Sequence, residues 1–112
     1  MADLYRAVLK NVRITPRKAR LVASLVRGKA VSAAIDMLKL TKRRAAPVVS
    51  RLIQSAVANA QNRATVDVDR LVVAEIFVDK GMVLKRFLPR AQGRATGIQK
   101  RFSHITVKLK EI

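Results

Sequence analysis

Apolar residues recur along this chain with two periods, every second residue towards its ends and every third or fourth residue between them. Residues 5–14 place valine and isoleucine at even positions, which predicts a short edge strand. Residues 71–78 form an almost unbroken apolar and β-branched run, which predicts a central strand. Residues 104–112 alternate, with isoleucine, valine and leucine on one face and threonine and lysine on the other. This last pattern predicts a half-exposed strand.

Three helices are predicted between the first strand and the second. Thr15 supplies a hydroxyl N-cap, Pro16 fits the first helical position, and Gly28 provides the stop of the first helix. The second helix is expected over residues 32–40, with Ser32 as its cap, and the third over 45–62. The expected buried stripes are Leu21, Val22, Leu25 and Val26 in the first helix, Ala34, Ile35 and Leu38 in the second, and Val49, Leu52, Ile53, Ala56, Val57 and Ala60 in the third.

Residues 87–97, the middle of the basic segment 80–101, depart from both periods, because small, turn-forming and cationic residues alternate there. The strands on either side most simply pair antiparallel, so this segment predicts an extended hairpin with a reach of roughly 30 Å. Pro89, Gly93 and Gly97 mark its tip. The segment lacks the apolar area to offset about 1–2 kcal/mol of backbone entropy per ordered residue. We therefore expect it to become ordered on a polyanion.

The composition predicts a single domain over residues 1–112 with an anionic partner. The chain has 24 Lys and Arg against 7 Asp and Glu, a formal charge of +17. Nucleic acid is the leading partner, since arginine suits phosphate and base contacts, and an acidic membrane surface comes second. There is no cysteine, no apolar signal core at the start, and no uncharged apolar run of the roughly 20 residues that a bilayer span needs. We expect a cytoplasmic protein assembled onto another molecule.

Cations concentrate in three places where they predict nucleic-acid contacts. One group opens the first helix, where the macrodipole already favours an anion, and a second precedes the third helix. The third group is the hairpin, whose seven cations predict a log–log salt slope of roughly −6 if all contact phosphate. The alternative for each group is a solvated surface. The residues that we predict to contact nucleic acid are Arg13, Arg17, Lys18, Arg20, Lys42, Arg43, Arg44, Lys80, Lys85, Arg86, Arg90, Arg94, Lys100 and Arg101.

No catalytic, cofactor or metal site is predicted. His104 is the only histidine and has no cysteine to join it as a metal ligand. Asp67 and Asp69 are more often a solvated cap or a partner for Arg70 than a cation site. No nucleophile with a neighbouring base, no pair of catalytic carboxylates and no glycine-rich phosphate loop is visible.

Several stretches resemble one known family along the whole chain. Residues 13–22, Arg-Ile-Thr-Pro-Arg-Lys-Ala-Arg-Leu-Val, are similar to the opening of the bacterial large-subunit ribosomal protein twenty-two family. Residues 58–60, 67–78, 85–95 and 100–106 are similar to later parts of it. Lys80, Met82, Gly97 and Phe102 depart from its commonest pattern. Contacts at the hairpin base and tip are therefore open, and Phe102 either packs against the sheet or stacks on an exposed base.

This resemblance implies an α+β fold, with three helices packed on a small three-stranded antiparallel sheet and a long protruding hairpin at residues 80–101. It implies a structural protein of the large subunit that binds large-subunit ribosomal RNA, stabilises its folding and assembly, and is not an enzyme. The implied partners are that RNA, neighbouring large-subunit proteins and, transiently, the nascent chain, with no membrane and no homo-oligomer. The hairpin tip would line the peptide exit tunnel through Pro89, Arg90, Ala91, Gln92, Gly93 and Arg94.

Two functions from other classes compete with this interpretation. A regulatory DNA-binding protein would place an exposed helix in the major groove, and tighter binding to duplex DNA than to structured ribosomal RNA at equal salt would favour it. A cationic membrane-active protein would need a helix divided into apolar and basic faces, together with measurable binding to vesicles. Burial within the domain explains the apolar stripe of the first helix more simply.

Overall fold

The computed structural model describes residues 4–89 and 95–112, and it confirms the predicted α+β arrangement of three helices and a three-stranded antiparallel sheet. The strands lie in the order β1-β3-β2. Helices cover one face of the sheet, and the core lies between them. The elements are β1 (Leu4–Val12), α1 (Pro16–Val26), α2 (Val31–Leu40), α3 (Ala45–Arg63), a 3-10 turn (Val68–Arg70), β2 (Leu71–Pro89) and β3 (Ala95–Glu111).

β3 is the central strand and β2 is an edge strand, so the prediction of a central strand over residues 71–78 is wrong. A bulge at Ala74 explains the misleading apolar run, because the register moves from Val73 opposite Leu109 to Glu75 opposite Lys108. Because side chains alternate between the two faces of a strand, one extra residue moves all following odd-numbered positions to the face that even-numbered positions held before it. The buried positions therefore change from odd numbers before the bulge to even numbers after it, and the run looks continuous although only one face is buried.

The buried face of α1 differs from the predicted stripe. Val22 and Val26 are fully buried as expected, but Leu21 and Leu25 are 48% and 40% exposed. Ala19 and the neighbouring Ala23 complete the buried face instead. Each leucine precedes a buried valine by one residue, about 100° around the helix, which places it outside the contact with the sheet. The prediction of burial for both leucines is therefore wrong.

The ends of α1 and α2 agree only in part with the sequence signals. Gly28 adopts a φ of +80°, a conformation that favours glycine, and it ends the first helix as predicted. Thr15 stands at the N-cap of α1, but its side chain makes no capping hydrogen bond. α2 begins at Val31 after Ala30, so Ser32 lies inside the first turn and the prediction that it caps this helix is wrong.

The outer edge of β2 is closed by groups from α1 and the loop after it. The Gly28 N–H donates to the Val73 carbonyl at 2.9 Å, and the Val73 N–H donates to the Lys29 carbonyl at 2.8 Å. Further along, the guanidinium of Arg27 donates to the Ile76 carbonyl at 2.7 Å. An edge strand exposes such groups to any incoming chain, so these contacts protect β2 from unwanted pairing.

β2 and β3 continue to pair beyond the end of β1. β1 leaves the sheet after Val12 opposite Ser103, whereas β2 and β3 pair from Leu71 opposite Glu111 to Pro89 opposite Ala95. We call residues 83–89 with 95–101 the two-stranded segment, and the remainder of the described chain the body. The radius of gyration is 17.2 Å, against about 13 Å for a compact chain of this length. The predicted protruding hairpin has its connection at 90–94, outside the described residues, and stays a prediction.

Candidate nucleic-acid interface

A concave basic cleft lies where the starts of α1 and α3 meet β3. Its volume is about 420 Å³, and it brings together cations from all three groups that the sequence singled out. The apolar residues Ile14 and Ala45 also line it, together with Thr15. No carboxylate is among the described residues that line the cleft, and all of its cations are exposed. We call it the α1–α3 cleft, and its cations are Arg13, Lys18, Lys42, Arg43, Arg44 and Arg101.

A buried hydrogen bond places the loop before α1 against β3. Ser103 is fully buried, and its hydroxyl donates to the Ile14 carbonyl. A buried hydroxyl without a partner would be unfavourable, so this bond fixes the position of the loop. Arg13 precedes the accepting residue, and Arg101 lies two residues before the donor. The bond therefore holds these two cations, which are far apart in sequence, on one cleft.

A second basic cleft, of about 520 Å³, lies at the base of the two-stranded segment. It shares Thr15 and Arg101 with the α1–α3 cleft, so the two form one continuous basic surface. The described lining of this cleft contains no carboxylate either. We call it the arm-base cleft, and its other lining residues are Pro16, Arg17, Arg20, Lys80, Gly81, Val83 and Phe102.

Both helices that open onto the clefts begin without a negative side chain. α1 and α3 have no acidic residue in the first turn, and neither receives a side-chain capping hydrogen bond. The first backbone N–H groups of a helix have no partner within the helix and carry partial positive charge. These groups add to the field of the cations, so the surface attracts anions through backbone as well as side chains.

Arg20 has a structural contact besides its place on the arm-base cleft. Its Nε and Nη2 atoms donate to the Val78 carbonyl at 3.3 and 3.0 Å. The guanidinium thus ties α1 to the outer edge of β2. Contact of Arg20 with RNA stays a prediction. Arg27 makes the equivalent bond to Ile76, and sequence reasoning missed it because the bond depends on β2 being an edge strand.

A bulge separates the body from the two-stranded segment. The register moves from Lys80 opposite Ser103 to Val83 opposite Arg101, so Gly81 and Met82 together face the single residue Phe102. A Cβ atom on Gly81 would lie 3.0 Å from the Phe102 carbonyl oxygen, closer than side chains ordinarily come. Glycine permits this close approach of two backbones. Phe102 is half-buried and lines the arm-base cleft, and its two predicted roles stay predictions.

The remaining predicted site residues lie on the two-stranded segment or beyond it. The backbone of Lys85 pairs with Gln99, that of Arg86 with Ile98, and that of Lys100 with Leu84. Pro89 pairs with Ala95. The predicted tip residues Arg90, Ala91, Gln92, Gly93 and Arg94 lie outside the described residues.

Two of the three side chains considered for metal binding, those of His104 and Asp67, have structural contacts. The Asn11 N–H donates to His104 Nδ1 at 3.1 Å, at a bulge where Asn11 has a φ of 59°. Asp67 caps the 3-10 turn by accepting from the Asp69 N–H at 3.0 Å, which is one of the roles predicted for it. Within residues 4–89 and 95–112 no three His, Cys, Asp or Glu side chains are grouped to hold a metal ion. No described helix is both long and apolar enough to cross a bilayer.

Comparison with known proteins identifies a family. The sequence model described as "Ribosomal protein L22p/L17e" matches residues 7–110. The chain is 56% identical over 106 residues to "Large ribosomal subunit protein uL22" of Oceanobacillus iheyensis, covering 95% of this chain and 94% of that protein. It is 55% identical over 106 residues to the protein of the same name from Syntrophotalea carbinolica, covering 95% and 96%.

Proposed function

Because this chain belongs to the ribosomal protein L22p/L17e family, we propose that it binds large-subunit ribosomal RNA through the continuous basic surface of its two clefts. Membership makes it a structural, cytoplasmic component of the large ribosomal subunit and not an enzyme. Binding to this RNA stabilises its folding and assembly. The neighbouring proteins of the subunit are its other partners.

The convergence of separate cations on the α1–α3 cleft carries this proposal. Six Lys and Arg side chains from three parts of the chain line one concave surface, and no carboxylate is among its described lining residues. Their mutual repulsion is unfavourable in the free protein, and phosphate groups would relieve it. A concave surface suits RNA that is folded or single-stranded, since such RNA can present protruding phosphates and unstacked bases.

Residues 80–101 are the arm of this proposal, a basic hairpin that inserts between RNA segments and becomes ordered there. Its tip, residues 89–94, lines the peptide exit tunnel and touches the nascent chain transiently. Two observations support this role. The segment carries seven cations and no acidic residue, and its two strands stay paired beyond the last residue of β1, from Val83 opposite Arg101 to Pro89 opposite Ala95. Backbone NMR of the free protein tests the coupled ordering, because a rigid arm without RNA would contradict it.

Salt-dependent binding to fragments of large-subunit RNA tests the proposed cleft surface. If all six cations of the α1–α3 cleft contact phosphate, they contribute roughly −5 to the log–log slope. The double variant Arg43→Gln with Arg44→Gln should flatten the slope by about 2. The matched control is Lys39→Gln with Lys110→Gln, two exposed cations outside both clefts. Equal flattening in both variants would contradict the proposal, and tighter binding to duplex DNA at equal salt would favour the DNA-binding alternative.

Cross-linking from within large subunits tests the proposed arm. A photoreactive group at position 90 or 94 should react with ribosomal RNA in purified large subunits, and with nascent chains in translating ribosomes. Arms that react with neither would contradict a position in the tunnel wall.

A further inference from the structure

A groove of about 420 Å³ lies between β1 and α3 and shares no lining residue with either basic cleft. Leu9, Val12, Val48 and Leu52 give it an apolar lining. Among its described lining residues Lys10 and Arg51 are the two cations, both exposed, and none is a carboxylate. The groove therefore combines apolar surface with positive charge, which differs from the dense cation clusters of the two clefts.

The backbone of β1 beside this groove faces outward. Within an antiparallel sheet, the N–H and C=O of one residue point to the same side, and successive residues alternate. The side-chain amide of Asn59 on α3 donates to the Arg6 carbonyl at 3.0 Å, so the backbone N–H and C=O of Arg6 point away from β3. Because these directions alternate, the backbone N–H and C=O of Val8 also point away from β3. No hydrogen bond to the outward N–H or C=O of Val8 occurs in the described part of the chain.

The opposite edge of the sheet gives the same assignment independently. The backbone N–H and C=O of Val73 both bond to the loop after α1, so these groups point away from β3. The backbone groups of its partner Leu109 therefore point towards β1, where Leu109 pairs with Tyr5. The backbone groups of Tyr5 thus face β3 and those of Arg6 face away from it, which agrees with the bond from Asn59.

The two edges of the sheet are protected to very different degrees. Along β2 the loop after α1, Arg27 and Arg20 bond to the outward groups of Val73, Ile76 and Val78. Along β1 the only such bond among the described residues is that from Asn59 to Arg6. An uncovered edge is a template for the pairing of another strand. The open stretch at Val8 lies on the lining of the groove.

We propose that an extended segment of another protein, carrying alternate apolar and acidic side chains, adds to the sheet as a strand beside β1. Its backbone pairs with Val8, its apolar side chains enter the groove against Leu9 and Leu52, and its carboxylates meet Lys10 and Arg51. Strand addition of this kind obtains affinity from main-chain hydrogen bonds and specificity from pockets for alternate side chains. The site is separate from the RNA-binding surface and does not depend on it.

Charge and shape favour this occupant over the two alternatives. A second copy of the chain would bring together two molecules that each carry a formal charge of +17. RNA could accept a hydrogen bond from the Val8 N–H, but it has no strand-like alternation of donor and acceptor for the same edge and no aliphatic groups for the apolar lining. An acidic, apolar peptide satisfies the backbone, the lining and the cations together.

NMR titration of the isotope-labelled full chain with a short peptide of alternating valine and glutamate tests the proposal. Amide shift changes should concentrate in residues 6–12 and 48–55. Arg51→Glu should weaken binding about tenfold, which corresponds to about 1.4 kcal/mol. The matched control is Lys39→Glu, the same charge reversal at an exposed position of α2 outside the groove. Equal weakening by both variants would show attraction to net charge only and would overturn the proposal.

Two further arms test strand pairing itself. A peptide of the same sequence with methyl groups on alternate backbone nitrogens keeps its charge but cannot pair, so it should bind about tenfold more weakly. Val8→Pro removes an outward N–H without removing a bond to β3, and proline is tolerated at such edge positions. It should weaken peptide binding while the circular dichroism of the folded protein is kept. Equal binding of the methylated peptide, or shift changes around Arg13 and Arg43 instead, would overturn the proposal, as would an RNA fragment that shifts the β1 amides in its place.

Discussion

The body and the two-stranded segment are built from the same two strands, yet they are stabilised in different ways. In the body, β2 and β3 bury Ile76, Leu109 and their neighbours under the helices. Beyond the bulge at Gly81, β1 no longer accompanies them, and Val83 is 47% exposed. A two-stranded ladder alone is marginal in water. One continuous ladder therefore depends on apolar burial at one end and, by our proposal, on RNA at the other.

Removal of apolar side chains from both parts of β2 should give the largest difference between the body and the two-stranded segment. Ile76→Ala should lower the free energy of unfolding by about 2–5 kcal/mol, because the side chain is almost fully buried and leaves a cavity. Val83→Ala should change it by less than about 0.5 kcal/mol. Urea unfolding of the RNA-free protein measures both, and a comparable loss in both variants would contradict the difference.

The junction between the two parts can be tested at Gly81. Gly81→Ala should lower the free energy of unfolding by about 1–2 kcal/mol, because the new Cβ would meet the Phe102 backbone, which cannot move aside easily. Thermal unfolding gives the magnitude. Val83→Ala serves as the control on the same strand, and an unchanged midpoint for Gly81→Ala would show that the two backbones separate freely at the bulge.

Arginines that bond to the sheet edge should behave differently from arginines that only line the clefts. Arg27→Ala removes a donor to the Ile76 carbonyl and should lower the free energy of unfolding by about 1 kcal/mol, with RNA affinity retained. Arg17→Ala should leave stability unchanged and reduce RNA affinity. Parallel urea and filter-binding measurements separate the two effects, and the reverse assignment would show that these roles are wrong.

The smallest effect is expected on the outer face of the sheet. Lys108 and Glu75 form an ion pair at 3.5 Å, in which the Glu75 side chain is 55% exposed. Exposed pairs contribute little, so Glu75→Gln should change the free energy of unfolding by less than about 0.5 kcal/mol. Urea unfolding at low and high salt measures this change. A loss of more than about 0.5 kcal/mol at low salt would show that the pair is stronger than its exposure indicates.

Sequence periodicity predicted each helix and strand because burial sets both periods. It did not predict the order of the strands, since the bulge at Ala74 depends on pairing with β3 and has no local signal. The missing caps at Thr15 and Ser32 show a similar limit, because capping depends on geometry as well as residue type.

The sequence predicted which cations belong to the candidate site, but not how they are arranged on the two clefts. The three groups of cations are visible in the sequence because charge is local information. Their convergence is not, since it depends on contacts between distant parts of the chain, such as the buried bond between Ser103 and Ile14 that holds Arg13 and Arg101 on one cleft. The groove beside β1 was missed as well, because an open edge exists only once the neighbours of a strand are known.

The bulge opposite Phe102 also constrains how the length of this protein can change. Gly81 and Met82 together occupy the place of a single residue opposite Phe102. The alternation of residues between the two faces of β2 therefore restarts at Val83, which lies opposite Arg101. Loss of one codon here would remove the bulge and leave a regular ladder, with Val83 still opposite Arg101. Loss of one codon beyond it would shift the later residues of β2 by one position against β3 and exchange their faces, whereas loss of two codons would merely shorten the ladder. Inherited length variation past this point should therefore come in pairs of residues.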